Sequence, residues 1–275
     1  MHIDQLLSLV AVTEQQSQHY ATQTFQIPMC WAQGRTVFGG LSAGLVYQAM
    51  KNVVADENRV LRSLTINFVG PLLGEVDCEI QVDYLRKGGN VSQLTAAIKQ
   101  NGEVKVFGLA AFGDARLSGI NVEITQAHDL PAVNDRFIMP SDSPVAPTFL
   151  QHIDIALLDG TPPFSGSSTG NHGGYMRFKQ AAETLSDAHI ITLIDAWPPT
   201  ILQMANEFCP VSTLSWNIEF LHPHRPLQGG DWLAFRAHTR QAGDGYGHSE
   251  ATVWDSHNEV IALSRQTITI FDKRN

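Results

Sequence analysis

A carboxylate is the first candidate for chemistry in this sequence. Asp195 lies near the end of the stretch Ser186 to Pro199, SDAHIITLIDAWPP. The pattern predicts a short helix, capped by Thr184 or Ser186 and stopped at the two prolines, which supply no amide donor. The residues three and four positions before Asp195 share its mostly apolar helical face. A carboxylate on a buried face is costly unless it is paired or used, so Asp195 is a candidate general base.

Two later polar residues have side chains that suit this carboxylate. Polar and apolar residues alternate from Thr213 onward, which predicts that Thr213 lies on the polar face of its strand. Gln266 shares a strand face with apolar residues, where an unsatisfied carboxamide costs roughly 1–3 kcal/mol. Asp195, Thr213 and Gln266 can therefore be one another's partners around a bound water.

The elements that position these residues fall into two similar halves. A glycine-led, mostly apolar helix is predicted at 41–54, and the second helix is the one that ends near Asp195. Alternation and turn signals predict strands in both halves. They lie near 64–68, 76–85, 91–100 and 104–112, and near 149–158, 213–221, 232–240, 247–255 and 259–271.

The halves also repeat in sequence. SLTINFVGP is similar to LSWNIEFLHP, and NGEV parallels HNEV at an offset of 156 residues. A repeat of this length indicates a duplicated domain. We expect a first unit at 1–115, a linker at 116–147 where proline, Asp and Asn break the periodicity, and a second unit at 148–275. The counterpart of Gln266 at this offset is Ala110, which predicts one active site in each chain.

These motifs resemble acyl-CoA thioesterase II and the wider thioesterase-like superfamily. The resemblance covers nearly the whole chain in order and implies an α+β fold, the double hotdog. In that fold, two tandem units each wrap a long antiparallel β-sheet around a central α-helix. The motifs are FGGLSAGLVYQAM, FVGP, YLRKGGN and NGEVKVFGLAAF in the first half, and LIDAWPP, STLSWNIEFLHP, DWLAFRAHT, GYG and EVIALSRQ in the second.

The resemblance also implies an activity, the hydrolysis of an acyl-CoA thioester to a free acid and coenzyme A. Family members hold the attacking water with an Asp, a Thr or Ser, and a Gln, which match Asp195, Thr213 and Gln266. Backbone amides at a helix N-terminus would stabilise the oxyanion, and Gly39 and Gly40 match that position. The two glycines are equally compatible with tight packing alone. No cofactor is implied.

Two other clusters contain residue types that occur in binding sites. Arg86 and Lys87, in a glycine-rich turn, are candidates for contact with coenzyme A phosphates, although such turns are more often only solvated. His222 and His224 flank a proline, with Glu219 as the near acidic neighbour. This spacing without a cysteine is a weak metal signal, so no metal site is expected.

Composition limits the remaining functions. The chain of 275 residues has a net charge of −9 and 43% apolar residues, which disfavours general nucleic-acid binding and suits a large core. The absence of a long apolar run or basic leader predicts a cytoplasmic protein without membrane insertion. A homo-oligomer is compatible with the sequence. The alternatives are a non-catalytic acyl-CoA or acyl-lipid binding protein and a hydratase using His189.

Overall fold

The computed structural model describes residues 1–122, 126–143 and 146–271. Three α-helices lie in these ranges: α1 (Ile3–Ser8), α2 (Gly39–Val54) and α3 (Asp187–Ile194). The strands of the first half are β1 (Val12–Gln16), β2 (His19–Thr22), β3 (Ala32–Gln33), β4 (Thr36–Val37), β5 (Val60–Phe68), β6 (Glu79–Lys87), β7 (Val91–Gln100) and β8 (Glu103–Gly113). Those of the second half are β9 (Ile153–Asp159), β10 (Asn171–Phe178), β11 (Thr184–Leu185), β12 (Val211–Phe220), β13 (Leu227–Gln228), β14 (Leu233–Gly243), β15 (Tyr246–Trp254) and β16 (Val260–Ile270).

Twelve of these strands form one antiparallel sheet that runs through both halves. Its order is β1-β2-β6-β7-β8-β5-β12-β16-β15-β14-β10-β9. The halves join where β5 pairs with β12, with Ile66 opposite Trp216 and Leu64 opposite Ile218. All four of these side chains are fully buried, so the junction is part of the core. The predicted α+β double hotdog fold is confirmed, with α2 and α3 as the two central helices.

Helix α2 is buried because its sequence is apolar on nearly every side. Leu41, Leu45 and Ala49 have no exposed surface. Lys51, the charged residue of this helix, reaches past the C-terminus and donates to the backbone carbonyl of Asp56 at 2.8 Å. The helix ends at Val54, and the C-cap residue, Ala55, adopts a left-handed backbone with φ of 48°.

The two central helices run antiparallel and approach closely because α2 carries glycines where they meet. A Cβ on Gly40 would lie 2.6 Å from the Thr192 carbonyl oxygen. A Cβ on Gly44 would lie 2.5 Å from Thr192 Oγ1 and 2.9 Å from the Ala188 carbonyl oxygen. Side chains at these positions would push the helices apart. The contact therefore places the N-terminus of α2 beside the C-terminus of α3.

Some predicted elements have different bounds in the structure. The amphipathic pattern of the N-terminal residues predicts a helix at about 3–13, but α1 stops at Ser8, and Val12–Gln16 is a strand. The strand predicted to begin at 149 begins at Ile153, because Thr148–Gln151 is a turn of 3-10 helix that packs Phe149 into the core. The ring of Phe149 stacks on that of Phe38 at 3.9 Å, and this burial decides the local conformation.

The segment predicted as a linker packs along strands of the second half. Its described residues include one turn of 3-10 helix, Asp135–Phe137. Asp129 pairs with Arg236 at 2.6 Å, and the Gln126 carbonyl oxygen accepts a hydrogen bond from Trp254 Nε1 at 2.8 Å. The division of the chain at 115 and 148 stays a prediction.

We expect Gly44→Ala to destabilise the protein by about 1–3 kcal/mol, the usual range for forced overpacking. Alanine in a helix interior ordinarily stabilises by up to about 1 kcal/mol relative to glycine, so the close contact with α3 reverses the sign. Urea unfolding measures the effect. Gly89→Ala is the matched control, because a Cβ there meets nothing within 4 Å. Equal stability of the two variants would contradict this account of the helix contact.

Candidate active site

Asp195 follows the last residue of α3 and is the C-cap of that helix. The helix begins after Ser186, which caps it as the sequence predicts, although its capping-box partner is His189. It is entirely apolar or uncharged from Ala188 onward, so its burial carries Asp195 into the interface with α2.

The Asp195 carboxylate has two polar partners. Gln266, on β16, donates from Nε2 to Asp195 Oδ1 at 2.8 Å. The backbone N–H of Gly40, in the first turn of α2, also donates to this carboxylate. Because an ionised carboxylate only accepts, Gln266 must present its nitrogen and is left with a carboxamide oxygen that can accept from another molecule. The structure thus brings together Asp195 and Gln266, which lie in distant parts of the sequence.

Burial raises the pKa of Asp195 to about 7. The hydrogen bonds from Gln266 and Gly40 favour the ionised form and act in the opposite direction, but desolvation is the larger effect. A carboxylate with this pKa is an effective proton acceptor near neutral pH, whereas an ordinary aspartate is too weak a base.

Thr213 lies on the same side of the sheet as Gln266 and the buried Trp216, so the prediction that it lies on the polar face of its strand is wrong. Strict alternation along the strand would place the Thr213 side chain on one face of the sheet and the Trp216 side chain on the other. In the structure, Thr213 is opposite Ile268 and Ser215 is opposite Thr267, so Leu214 is an extra residue. This β-bulge turns Thr213 onto the inner face and leaves Leu214 41% exposed.

The contacts of the Thr213 hydroxyl differ from those of Gln266. Gln266 is opposite Trp216, so Thr213 is its diagonal neighbour across the two strands. Diagonal neighbours lie about 7–8 Å apart, a span that a small molecule between the side chains can bridge. Among the described residues, no side chain is hydrogen-bonded to the Thr213 hydroxyl.

The glycines at the start of α2 lie directly against Asp195. A Cβ on Gly39 would be 2.8 Å from Asp195 Oδ2, so glycine is required for this approach. The first hydrogen bond within the helix runs from Ser42 N–H to the Phe38 carbonyl, which leaves the earlier amides free of helical partners. The Gly40 amide is used by Asp195, whereas the Gly39 amide has no acceptor within the helix.

Arg86 and Lys87 lie far from this cluster. Lys87 is opposite Ser92, and the register continues through Phe112 to Leu61 at the start of β5. Phe68, which packs beside Gly39, is at the other end of β5. Seven residues of strand separate these ends, or about 23 Å. Contact of Arg86 and Lys87 with coenzyme A phosphates stays a prediction without support from this geometry.

His189, the residue on which a hydratase would depend, points away from Asp195. Its Nε2 is 2.8 Å from Asp4 Oδ1, and its Nδ1 is 2.8 Å from Ser186 Oγ. Although Ser, His and Asp also occur in hydrolase triads, here the Ser186 backbone N–H also donates to His189 Nδ1 at 3.2 Å. The group is a helix cap that fixes α1 against the start of α3.

Two family models match the chain. The acyl-CoA thioesterase N-terminal domain matches residues 27–113, and the acyl-CoA thioesterase C-terminal domain matches residues 125–270. The chain belongs to the acyl-CoA thioesterase family. It is therefore a thioester hydrolase, as the sequence motifs imply.

Solved structures share the fold of this acyl-CoA thioesterase over almost its full length. A hot dog fold protein of unknown function from Alicyclobacillus acidocaldarius has a TM-score of 0.76 at 18% identity, covering 98% of this chain and 99% of that one. A putative thioesterase II from Thermobifida fusca has a TM-score of 0.74 at 18% identity and covers 97% of both chains. An acyl-CoA thioesterase II from Mycobacterium marinum has a TM-score of 0.68 at 17% identity and covers 98% of both.

No curated protein matches the chain. In the part of the chain that the structure describes, every helix is too short or too polar to cross a bilayer.

We expect Asp195→Asn to raise the free energy of unfolding at neutral and alkaline pH. Burial lifts the pKa of Asp195 from an ordinary 3.8 to about 7, so the folded chain binds a proton more tightly than the unfolded chain. This contribution to stability is complete below the lower pKa and is lost as the pH rises through the higher one. The stability of the asparagine variant does not depend on this proton. Its free energy of unfolding relative to the wild type should therefore increase as the pH rises from the lower pKa through the higher one, by at most about 4 kcal/mol.

Urea unfolding of both proteins at about pH 5 and about pH 8 measures this difference. An advantage of Asp195→Asn that stays constant between these two conditions would contradict a raised pKa.

Proposed function

We propose that this acyl-CoA thioesterase hydrolyses an acyl-CoA by direct attack of water, with Asp195 as general base and Thr213 and Gln266 as the groups that orient the water. The hydrogen bond of 2.8 Å between Gln266 and Asp195 carries the proposal. In it, a carboxylate and a carboxamide 71 residues apart in the second half meet at the point where α3 ends.

The proposed reaction begins with water bound between Asp195 and the free oxygen of the Gln266 carboxamide. As the water oxygen attacks the thioester carbonyl carbon, Asp195 accepts a water proton. Collapse of the tetrahedral intermediate breaks the carbon–sulfur bond and releases the coenzyme A thiolate, which takes the proton from Asp195. The products are a free acid and coenzyme A, and the carboxylate is regenerated.

The negative charge on the carbonyl oxygen needs a preorganised donor. Of the two glycines that the sequence singles out, Gly39 suits this role better, because the Gly40 amide already donates to Asp195. The partial positive charge at the N-terminus of α2 would add to the stabilisation. Gly40 then has two tasks, the approach of the helices and the support of the general base.

The main alternative is a protein that binds acyl-CoA or an acyl-lipid without turning it over. The pKa of Asp195 argues for hydrolysis, because a binding protein gains nothing from a carboxylate whose burial costs stability. The proposed substrate, an acyl-CoA, is the one that the family implies. A homo-oligomer and a cytoplasmic location stay predictions.

Asp195→Asn is expected to lower kcat by about 10²–10⁴-fold, the usual contribution of a general base. The substitution keeps the shape of the side chain, so acyl-CoA binding should remain. Release of free thiol from acyl-CoA substrates of several chain lengths measures turnover, and calorimetric titration with a non-hydrolysable thioether analogue measures binding. Unchanged turnover in this variant would falsify the assignment of the base.

Thr213→Ala and Gln266→Ala should each lower kcat by about 10-fold or more, because each removes a group that orients the water. Thr213→Ser keeps the hydroxyl and should stay within a few-fold of the wild type. Two controls match these changes. Thr269→Ala removes a half-buried hydroxyl, which donates to the Ser212 carbonyl, from the opposite face of the strand that carries Gln266, and Arg265→Ala changes the exposed neighbour of Gln266. An equal loss of kcat in the control variants would contradict the orienting roles of Thr213 and Gln266.

The rate should also depend on pH in the way that a buried base requires. Because Asp195 must be ionised to accept a proton, kcat/KM should rise with pH and level off above a midpoint of about 7. Steady-state hydrolysis across the stable pH range measures this profile. A midpoint near 4 would show that the base is an ordinary, solvated carboxylate.

A further inference from the structure

Three side chains outside the candidate active site converge on one point. Asp187 is the first residue of α3, and His222 and His224 lie in the bend that follows β12. They form the one group of metal-ligating side chains of this size in the part of the chain that the structure describes. We propose that Asp187, His222 and His224 bind a Zn²⁺ ion that joins the start of α3 to this bend.

The distances in the group suit a shared ion better than direct hydrogen bonds. His224 Nε2 is 3.4 Å from Asp187 Oδ1, and His222 Nε2 is 3.7 Å from Asp187 Oδ2. Charge-assisted hydrogen bonds are shorter, about 2.7–2.9 Å. Ligands at about 2.0–2.1 Å from a tetrahedral zinc ion are about 3.3 Å from one another. The three ligand atoms lie within 4.8 Å of one another, so small side-chain movements are enough to close the site.

His222 supplies an independent observation. Its Nε2 is buried and has no hydrogen-bond partner in the described structure. A buried polar atom without a partner is rare in proteins and costs stability. A cation between this nitrogen and the Asp187 carboxylate would satisfy both groups. The side chains of Asp187, His222 and His224 are only 12%, 11% and 14% exposed, so such an ion would be largely removed from water.

Neighbouring groups hold two of the ligands in suitable orientations. His224 Nδ1 lies 3.1 Å from the Arg225 backbone carbonyl, so Nδ1 carries a proton and the Nε2 lone pair is available for a metal. Tyr47, on α2, donates from its hydroxyl to Asp187 Oδ2 at 3.1 Å. The Arg225 guanidinium is paired with Glu259 at 2.8 Å and is therefore compensated.

The proposed metal site lies at a bend that has an equivalent in the first half. Phe68 and Phe220 end the equivalent strands β5 and β12, and each is followed by a bend and a proline. The first bend lies beside the N-terminus of α2 and the candidate active site. The second contains His222 where the first has Gly70, and it lies beside the N-terminus of α3. The bend of the first half thus lies beside Asp195, and the equivalent bend of the second half would lie beside the proposed ion.

The chemistry of the ligands favours zinc over other common ions. Two imidazoles and one carboxylate suit first-row transition ions, whereas Mg²⁺ and Ca²⁺ prefer oxygen ligands. The N-terminus of a helix carries about half a positive charge, which opposes a cation. The full negative charge of Asp187 exceeds that opposition. Eight residues of helix, about 12 Å, separate Asp187 from Asp195, so the ion would not contact the reacting atoms.

The test is titration of the untagged, chelator-treated full chain with ZnCl₂ by calorimetry, followed by Co²⁺ substitution and visible absorption spectroscopy. We expect one Zn²⁺ per chain and a rise in Tm on binding. His224→Ala, His222→Ala and Asp187→Asn should each weaken binding at least about 100-fold, and Tyr47→Phe about 10-fold. His257→Ala, which changes an exposed histidine, is the matched control and should bind like the wild type.

Two results would overturn the proposal. One is wild-type binding that is substoichiometric or no tighter than that of His224→Ala, with both proteins folded by circular dichroism. The other is a Co²⁺ complex whose absorption is unchanged in His224→Ala, since the ligands would then lie elsewhere. If His222→Ala does not fold, His224→Ala and Asp187→Asn decide the question. Asp195→Asn should retain full zinc binding, so this test is independent of the proposed hydrolysis.

Discussion

The close approach of the start of α2 to the end of α3 is the contact on which the candidate active site depends. Gly40 and Gly44 leave no room for a Cβ against Thr192, so the backbones nearly touch. This contact partly covers Asp195 and supplies a backbone amide to it. Burial raises the pKa of this carboxylate, and the hydrogen bonds from Gln266 and Gly40 lower it. The balance of the two sets its pKa to about 7.

The duplication of the fold allows this unfavourable burial to be confined to one half. Ala110 is fully buried opposite Leu64, in the register position where Gln266 is opposite Trp216. The first half therefore contributes an apolar layer where the second contributes a polar group. The continuous sheet through β5 and β12 joins the two, so the stability of the whole molecule supports a locally costly site.

Much of the fold could be predicted from the sequence because its signals are local. Alternation along the long strands, glycines at the start of α2 and prolines after α3 each specify a conformation within a few residues. The approach of Gln266 to Asp195 could be proposed from residue types and family resemblance, since each needs a partner when buried.

The features that the sequence could not show depend on pairing between distant strands. The bulge at Leu214, which moves Thr213 to the inner face, is set by its register against Ile268 and Thr267. The group of metal-ligating side chains at the bend after β12 could not be predicted for the same reason. His222 and His224 alone are a weak metal signal, because the third ligand, Asp187, comes from a helix earlier in the chain.

The most direct test of the account is the titration of the Asp195 carboxyl group itself. Infrared difference spectroscopy, wild type minus Asp195→Asn on chains with labelled aspartate, isolates the protonated carboxyl band. The account predicts a midpoint near pH 7 that moves higher in Gln266→Leu, because that variant loses a donor that favours the ionised form. A midpoint near the ordinary 3.8, or one that Gln266→Leu leaves unchanged, would contradict it.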